Sequence, residues 1–388
     1  MITKLEAFGY RCLREVRQQL QPYQILIGPN GSGKSAFLDV VAFIGDVVSR
    51  GLHDAVTDRT ENFYDLVWGR SGKSFCLALE AARSEKNGPL PGSASEAIRY
   101  EVEVTIDEND NEILISREEL DVLDQAGKRR RLVTRGRGRV SFVPENPAGR
   151  SWDFEIDANY STLATMTPFA MDARFPSLLW FKTLLRDGVK TVALDNELLR
   201  GSSPPGAGGR EVYNGFNFAR LAGQLRDSSP DTYGSWLRHV QTAVPDIADI
   251  RMIVRSEDKH RYLMIRYSGG VEVPQWMVSD GTLRLLALTF LAYLPATPGV
   301  YLVEEPEIGL HPTAIETVMQ SLSSVYEGQV LVTSHSPVVL SLPRPDQLLC
   351  FQKTQDGTAI IPGDQHPLLK EWRSGVDLSD LFAAGVLS

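Results

Sequence analysis

The sequence predicts an α/β protein in which one parallel sheet is assembled from both ends of the chain, with an antiparallel β subdomain and a helical insertion between. Three observations predict it. The apolar run Ile25-Leu26-Ile27 stops against the glycine-rich stretch Gly28–Ser35, and a helical pattern follows. Late in the chain a helix from Gly281, the strand VYLVEE, a helix from Pro312 and the strand VLVTS alternate, as a parallel sheet requires. Between these ends, from about Ser74 to Asp157, strand-like runs separated by turn-rich pieces such as DENDN replace the alternation.

Taken in order, KLEAFGYRCLREVRQQL reads as a short strand, a turn and a second strand. Ile25–Ile27 is too short for a helix and ends in Gly-Pro, which suits a buried parallel strand. Phe37, Leu38, Val41, Ile44 and Val48 share one helical face, and Gly51 supplies the C-terminal stop. Phe75–Leu79, Ile98–Ile106 and Ile113–Ile115 are strands of a mostly antiparallel sheet. Residues 176–245 read as largely helical, interrupted by GSSPPGAGG at 201–209, a mobile loop by composition, and 250–273 reads as a hairpin. The expected division is therefore 1–75 for the N-terminal part of the core and 76–160 for the antiparallel β subdomain. A mainly helical insertion at 161–248 and the C-terminal part of the core at 249–388 complete it. There is no internal repeat and no sustained heptad pattern.

With 43% hydrophobic and 23% charged residues among 388, the chain can bury a substantial core. No apolar run approaches the roughly 20 residues that span a bilayer, and the N-terminus lacks the apolar stretch of a secretory signal, so no membrane partner is expected. Cys12, Cys76 and Cys350 are widely spaced and form no metal-binding pattern, as expected of reduced thiols in a cytoplasmic protein. A net charge of −9 gives the surface as a whole no attraction for nucleic acid or anionic lipid. One local exception is Lys128–Arg139, with seven positive charges in twelve residues. Two readings stand for that run: a grip on nucleic-acid phosphates, or a solvated hairpin tip, since no aromatic residue interleaves to stack bases.

Gly28-Pro29-Asn30-Gly31-Ser32-Gly33-Lys34-Ser35 fits the pattern GxxxxGK[ST] at every fixed position. Its glycines allow backbone N–H groups to turn inward around phosphate oxygens, aided by the positive end of the following helix. Lys34 would reach the β- and γ-phosphates, and Ser35 would offer its hydroxyl to Mg²⁺. After four apolar residues, Glu304 and Glu305 end a buried strand, where a pair of carboxylates is costly unless something binds it. Beside a phosphate loop, the first acid would orient Mg²⁺ and the second would polarise the attacking water. His335 ends the next strand, at the edge where such sheets bind ligands. It reads either as an ordinary polar residue or as a hydrogen-bond donor to a γ-phosphate.

GPNGSGKS, VSDGTLRLL at 278–286, LVEEPEIGLHP at 302–312 and TSHSP at 333–337 occur in the order of an ABC-type ATPase. The wording resembles the RecF/OLD-like group, related to the chromosome-maintenance ATPases. The resemblance covers about 1–50 and 275–345 closely and the stretch between only loosely. It implies an ABC-ATPase head that uses ATP and Mg²⁺. Gly28, Asn30, Gly31, Ser32, Gly33, Lys34, Ser35 and Ala36 would hold the nucleotide, and Ser35 and Glu304 the metal. Glu305 matches the catalytic glutamate, His335 the switch histidine, and Lys34 the phosphate-loop lysine. Ser279, Asp280 and Gly281 match the signature motif, which contacts the γ-phosphate bound by a partner subunit, so a homodimer or higher even oligomer is implied. His311 falls just beyond the D-loop-like segment Glu307–Leu310.

The sequence also departs from the family pattern. Glu304 stands where many families have Asp, the signature reads SDGT rather than SGG, and no glutamine occurs between Gln24 and Gln125 to serve the Q-loop. No long coiled-coil insertion is present, and the 53 residues after His335 are too few for an OLD-type nuclease domain. The expected function is thus an ATPase that closes around ATP and controls a separate effector protein, in prokaryotic anti-phage defence. A RecF-like repair ATPase that clamps DNA is the alternative. A transporter subunit fits less well, because the absent glutamine is the residue that couples to a membrane partner.

Overall fold

The computed structural model describes residues 1–83, 97–107, 109–136, 138–146, 149–166, 174–206, 213–294, 299–325, 327–367 and 369. Six strands form its central sheet: β3 (Tyr23–Ile27), β10 (Val189–Val192), β14 (Val300–Glu304), β15 (Gln329–Ser334), β16 (Leu348–Thr354) and β17 (Gly357–Pro362). Their order across the sheet is β10-β14-β15-β3-β16-β17. Neighbours run parallel except in the terminal hairpin β16–β17.

Alternate residues of these strands enter two different cores. Ile25, Ile27, Tyr301, Val303, Val330, Val332, Leu348 and Cys350 face one, while Leu26, Val300, Leu302, Leu331, Leu349 and Phe351 face the other. A sheet buried on both sides explains why these strands read as continuous apolar runs. Against the second face lies α1 (Lys34–Arg50), which turns at Gly51 into α2 (Leu52–Thr57). Phe37, Val40, Val41, Phe43 and Ile44 of α1 are fully buried.

Beyond α1 lies an eight-stranded antiparallel sheet. Its strands are β1 (Ile2–Tyr10), β2 (Leu13–Gln19), β4 (Ser74–Ala82), β5 (Ala97–Ile106), β6 (Ile113–Leu123), β7 (Arg129–Gly136), β8 (Arg139–Phe142) and β9 (Trp152–Glu155). They are ordered β2-β1-β4-β5-β6-β7-β8-β9. The antiparallel layer is thus wider than 76–160, because the N-terminal hairpin forms its edge. Gln329 stitches the two sheets together. Its side chain accepts from the Ile2 amide at 2.8 Å and donates to the carbonyls of Ile2 at 2.7 Å and Gln21 at 3.0 Å.

The chain then passes α3 (Thr162–Thr165) and α4 (Pro176–Thr183), enters the central sheet as β10, and continues into α5 (Asn196–Arg200). No local pattern announces β10, so the stretch 161–248 is not helical throughout. Val-Lys-Thr-Val is too short to stand out, and β10 is held by its register against Val300–Val303. Helices α6 (Phe218–Ser228), α7 (Pro230–Ala243), α8 (Asp280–Phe290) and α9 (Pro312–Ser323) cover the other face, with the fully buried Trp236 packed edge-on to Phe218 and Phe290. A small antiparallel sheet, β11 (Ile247–Val254), β12 (Arg261–Tyr267) and β13 (Glu272–Pro274), leads into α8, and α10 (Pro337–Leu340) follows β15. In the expected loop 201–209, Ser203 exchanges backbone hydrogen bonds with Arg261 at 2.8 and 2.9 Å, so its first half is anchored. Residues 207–209 lie outside the described residues. No helix among those described is long and apolar enough to cross a membrane.

The basic run is mostly the strand β7, and three of its arginines are used internally. Arg131 pairs with Asp121 and with Glu119, and Arg130 donates to the carbonyls of Pro144 and Glu145. Arg135 is fully buried against Glu118 and donates to the Asp157 and Tyr160 carbonyls. Lys128, Arg129 and Arg139 are the exposed cations among the described members of the run. Glu118, itself without solvent exposure, accepts from Tyr100, Ser161 and Thr162 as well. Removing one member of such a network strands the others in a dry interior. Glu118→Ala should therefore cost about 3–5 kcal/mol, seen as a lowered midpoint in urea unfolding followed by tryptophan fluorescence. An unchanged midpoint would show that the network contributes nothing to stability.

Candidate functional site

The glycine-rich loop spans the gap between Ile27, the end of β3, and Lys34, the start of α1. Gly28, Gly31 and Gly33 have φ of 148°, 74° and 103°, a region that other residues rarely adopt. Two of them also meet a wall. A Cβ on Gly28 would lie 2.3 Å from the Phe351 carbonyl oxygen, and one on Gly33 would lie 2.4 Å from Thr358 Oγ1. Thr358 donates to the Ser32 carbonyl at 2.9 Å, so the β16–β17 hairpin fixes the loop from behind.

Within the loop, Lys34 Nζ donates to the carbonyls of Gly28 at 2.7 Å and Pro29 at 2.9 Å. Burial pulls the lysine's pKa down, and the nearby Glu305, Glu307 and Glu304 act in the opposite sense. Ser32 Oγ is buried with no hydrogen-bond partner, a polar group inside the loop that awaits one. The adjoining cavity, about 690 Å³, is lined by Asn30, Gly31, Gly33, Lys34, Ser35 and Ala36 from the loop and by Glu305 opposite. Arg11, Thr60, Asp65 and Trp68 are among the residues of its other walls, for which the sequence carried no motif.

The carboxylates arrive from β14. Ser35 Oγ donates to Glu304 Oε2 at 2.7 Å, bringing together the two residues expected at the metal. Glu305 follows with φ of 45°, a left-handed conformation for a non-glycine residue that costs on the order of 1–3 kcal/mol. Its amide is held by the Thr333 carbonyl at 3.0 Å, and its Oε1 lies 3.1 Å from His335 Nδ1. Glu307 was not singled out for chemistry, yet it is buried and accepts from Ser334 Oγ at 2.6 Å and from the His335 amide. It thereby ties the segment after β14 to the segment after β15. In the sequence it appears as the first residue of the D-loop-like segment and as a third acid two places beyond the pair. His311 caps α9, its Nδ1 accepting from the Thr313 amide.

Ser279, Asp280 and Gly281 open α8. Ser279 caps the helix by accepting from the Thr282 amide at 3.2 Å. A Cβ on Gly281 would lie 2.7 Å from the Gly309 carbonyl oxygen, so the signature helix abuts the loop that carries the carboxylates. None of the three lines the cavity at the phosphate loop. Asp280 is paired with Arg200 of α5, a partner that no local pattern could reveal.

Residues 25–341 match the family described as AAA domain, putative AbiEii toxin, Type IV TA system. No curated protein matches the sequence. Among solved structures the chain is similar to a crystal structure of the SmcHead bound to the C-winged helix domain of ScpA. That match has a TM-score of 0.57 at 15% identity and covers 93% of this chain and 97% of the other. A second likeness is to the Smc head domain with an extended coiled coil, bound to the C-terminal domain of ScpA derived from Pyrococcus furiosus. Here the TM-score is 0.53 at 13% identity, with 96% of this chain and 98% of the other covered. At these identities the likeness is one of fold.

Thr358→Val keeps the shape of the hairpin and removes its bond to the Ser32 carbonyl. Nucleotide affinity should fall roughly 3- to 10-fold, measured by titrating a fluorescent ATP analogue. Equal affinity would mean that the hairpin does not set the loop's conformation.

Proposed function

This chain belongs to the family described as AAA domain, putative AbiEii toxin, Type IV TA system, and we propose that it hydrolyses ATP at sites completed by a second copy of itself. It is an ABC-type P-loop ATPase of the SMC-related group. The convergence of Lys34, Ser35, Glu304, Glu305 and His335 at the carboxyl ends of three parallel strands carries the proposal.

The donor set fits Mg²⁺. The Ser35 hydroxyl and the Glu304 carboxylate are hard oxygen ligands, and they already share a 2.7 Å hydrogen bond. These two residues would hold the ion, which would neutralise phosphate charge when bound. Lys34 would exchange its bonds to the Gly28 and Pro29 carbonyls for the β- and γ-phosphate oxygens. Gly28, Asn30, Gly31, Ser32, Gly33 and Ala36 would cradle the same phosphates, with Ser32 Oγ gaining the partner it lacks. Glu305 is the general base that polarises the attacking water. His335, 3.1 Å from it, holds that carboxylate in place and donates to the γ-phosphate.

One chain carries one phosphate loop and one signature. We assign Ser279, Asp280 and Gly281 to the nucleotide of a second copy, so that two chains related by a twofold axis complete two sites. Met277, beside the signature, and Ile308, beside the carboxylates, are 68% and 52% exposed, and a paired copy would cover both. The family description names a toxin and a type IV TA system, and within such a setting we read this chain as controlling a separate effector in anti-phage defence. The internal commitment of Arg130, Arg131 and Arg135 weighs against the basic run as a clamp on nucleic acid.

Lys34→Ala should abolish ATP binding. Glu305→Gln should keep binding and lose roughly 10²- to 10⁴-fold in turnover, with equal turnover removing Glu305 from the mechanism. By light scattering, the Glu305→Gln protein should be more strongly dimeric with ATP and Mg²⁺ than with ADP. Mixing Lys34→Ala with Ser279→Arg chains should restore turnover, because one site of the heterodimer is then intact. A monomer at saturating ATP, with no rescue on mixing, would sink the composite site.

The basic run offers a separate check. Replacing Lys128, Arg129 and Arg139 by Ala should leave any salt dependence of DNA retention unchanged. A flattened slope would restore the phosphate-grip reading.

A further inference from the structure

The signature of this chain contains a charge that its assigned role disfavours. Asp280 occupies the first position of α8, where free N–H groups and the helix dipole offer an anion a positive potential. Its carboxylate takes up that potential itself and would repel a triphosphate brought against the same helix end.

Arg200 answers that charge from 80 residues earlier in the chain. Its Nε donates to Asp280 Oδ1 at 2.7 Å and its Nη2 lies 2.6 Å from the same oxygen, while Nη1 donates to the Trp276 carbonyl at 2.7 Å. Three of the five guanidinium donors are thus fixed in one plane across the start of the signature. The segment carrying Arg200 is itself clamped. Asp195 caps α5 through the Glu197 and Leu198 amides, Leu199 is buried, and Gln275 donates to the carbonyls of Leu199 and Gly201. Arg284, one turn into α8, reaches the Leu194 carbonyl at 3.3 Å. A side chain on a free loop would wander, whereas this one is held at the signature by its backbone on both sides.

We propose that Arg200 is a positioning residue for the composite ATP site: by neutralising and holding Asp280, it makes an acid-bearing signature acceptable to the partner's nucleotide. The proposal rests on the composite-site reading above and assigns that site a residue outside every motif. It also explains how SDG can stand where SGG is usual, since the carboxylate and the guanidinium together present a neutral surface. Any ligand that displaced α5 would expose Asp280 and loosen the ATP-bound dimer.

The test uses the full chain in the Glu305→Gln background and reads the ATP·Mg²⁺-dependent dimer dissociation constant by analytical ultracentrifugation. Arg200→Ala should weaken the dimer roughly tenfold or more, from the unscreened carboxylate. Arg200→Lys should recover part of the loss. ATP binding by the monomer should stay unchanged, because Arg200 does not line the cavity at the phosphate loop. The decisive arm is Asp280→Asn, which keeps the shape and removes the charge. In that background Arg200→Ala should change the dimer constant by less than about threefold. An equal loss from Arg200→Ala with and without the Asp280→Asn change would show that Arg200 merely supports the fold. An undiminished dimer in Arg200→Ala would show that it does nothing, and either result overturns the proposal. If the parent protein itself fails to dimerise on ATP, the composite-site reading falls first, and this inference falls with it.

Discussion

Ile27 lies opposite Ser334 across one strand pair, and Glu304 lies opposite Thr333 across the next. That register, set by backbone hydrogen bonds among three parallel strands, decides which side chains can meet. It brings the phosphate loop after residue 27, the acids at 304 and 305 and the histidine at 335 to a common edge, although 269 positions separate Ser35 of the loop from Glu304. A slip of one residue in β14 would turn Glu304 away from Ser35 and place Val303 beside the loop, because successive strand residues face opposite sides. Such a slip would also exchange Tyr301 and Val303 with Val300 and Leu302 between two close-packed cores that fit their shapes, so the packing of the cores holds the chemistry in alignment as well as stabilising the fold.

Local patterns announced every part of the site that is contiguous in sequence. The loop Gly28–Ser35, the strand before it and the helix after it could be read because glycine spacing and helical periodicity are short-range signals. The acids of β14 could be read because a charged pair after VYLV is chemically conspicuous. What could not be read depends on distant pairing. β10 is a strand through its register with β14, the N-terminal hairpin belongs to the antiparallel sheet through Leu5 and Leu79, and Thr358 acquires meaning only where β17 passes behind Gly33. The basic run illustrates the same limit in reverse. Its density suggested an exposed surface, and strand pairing turned Arg135 into the core, where Glu118 and two carbonyls receive it.

Away from the site, Glu118 and Gln329 have every acceptor or donor matched, and they join elements that hydrophobic contact alone would leave free to slide. At the site the matching is incomplete. Ser32 Oγ, Thr333 Oγ1 and one oxygen of Glu307 are unpaired, and Glu305 sits in a backbone conformation of its own. Unmet capacity occurs elsewhere too, at Arg135 Nε, Asn217 Oδ1 and His366 Nδ1, but here it stands beside the left-handed Glu305, at the edge where phosphates and a nucleophilic water would be received.

The dependence of the phosphate loop on the hairpin at 348–362 also has a consequence in time. The ribosome makes Gly33 early, but the wall that shapes it, Thr358 and the Phe351 carbonyl, comes more than 300 residues later. At about 5–20 residues per second that interval is roughly 15 to 65 s. Throughout it the nascent chain carries a complete motif with no formed pocket behind it. The pocket at the phosphate loop is therefore complete only in chains whose synthesis has passed the hairpin.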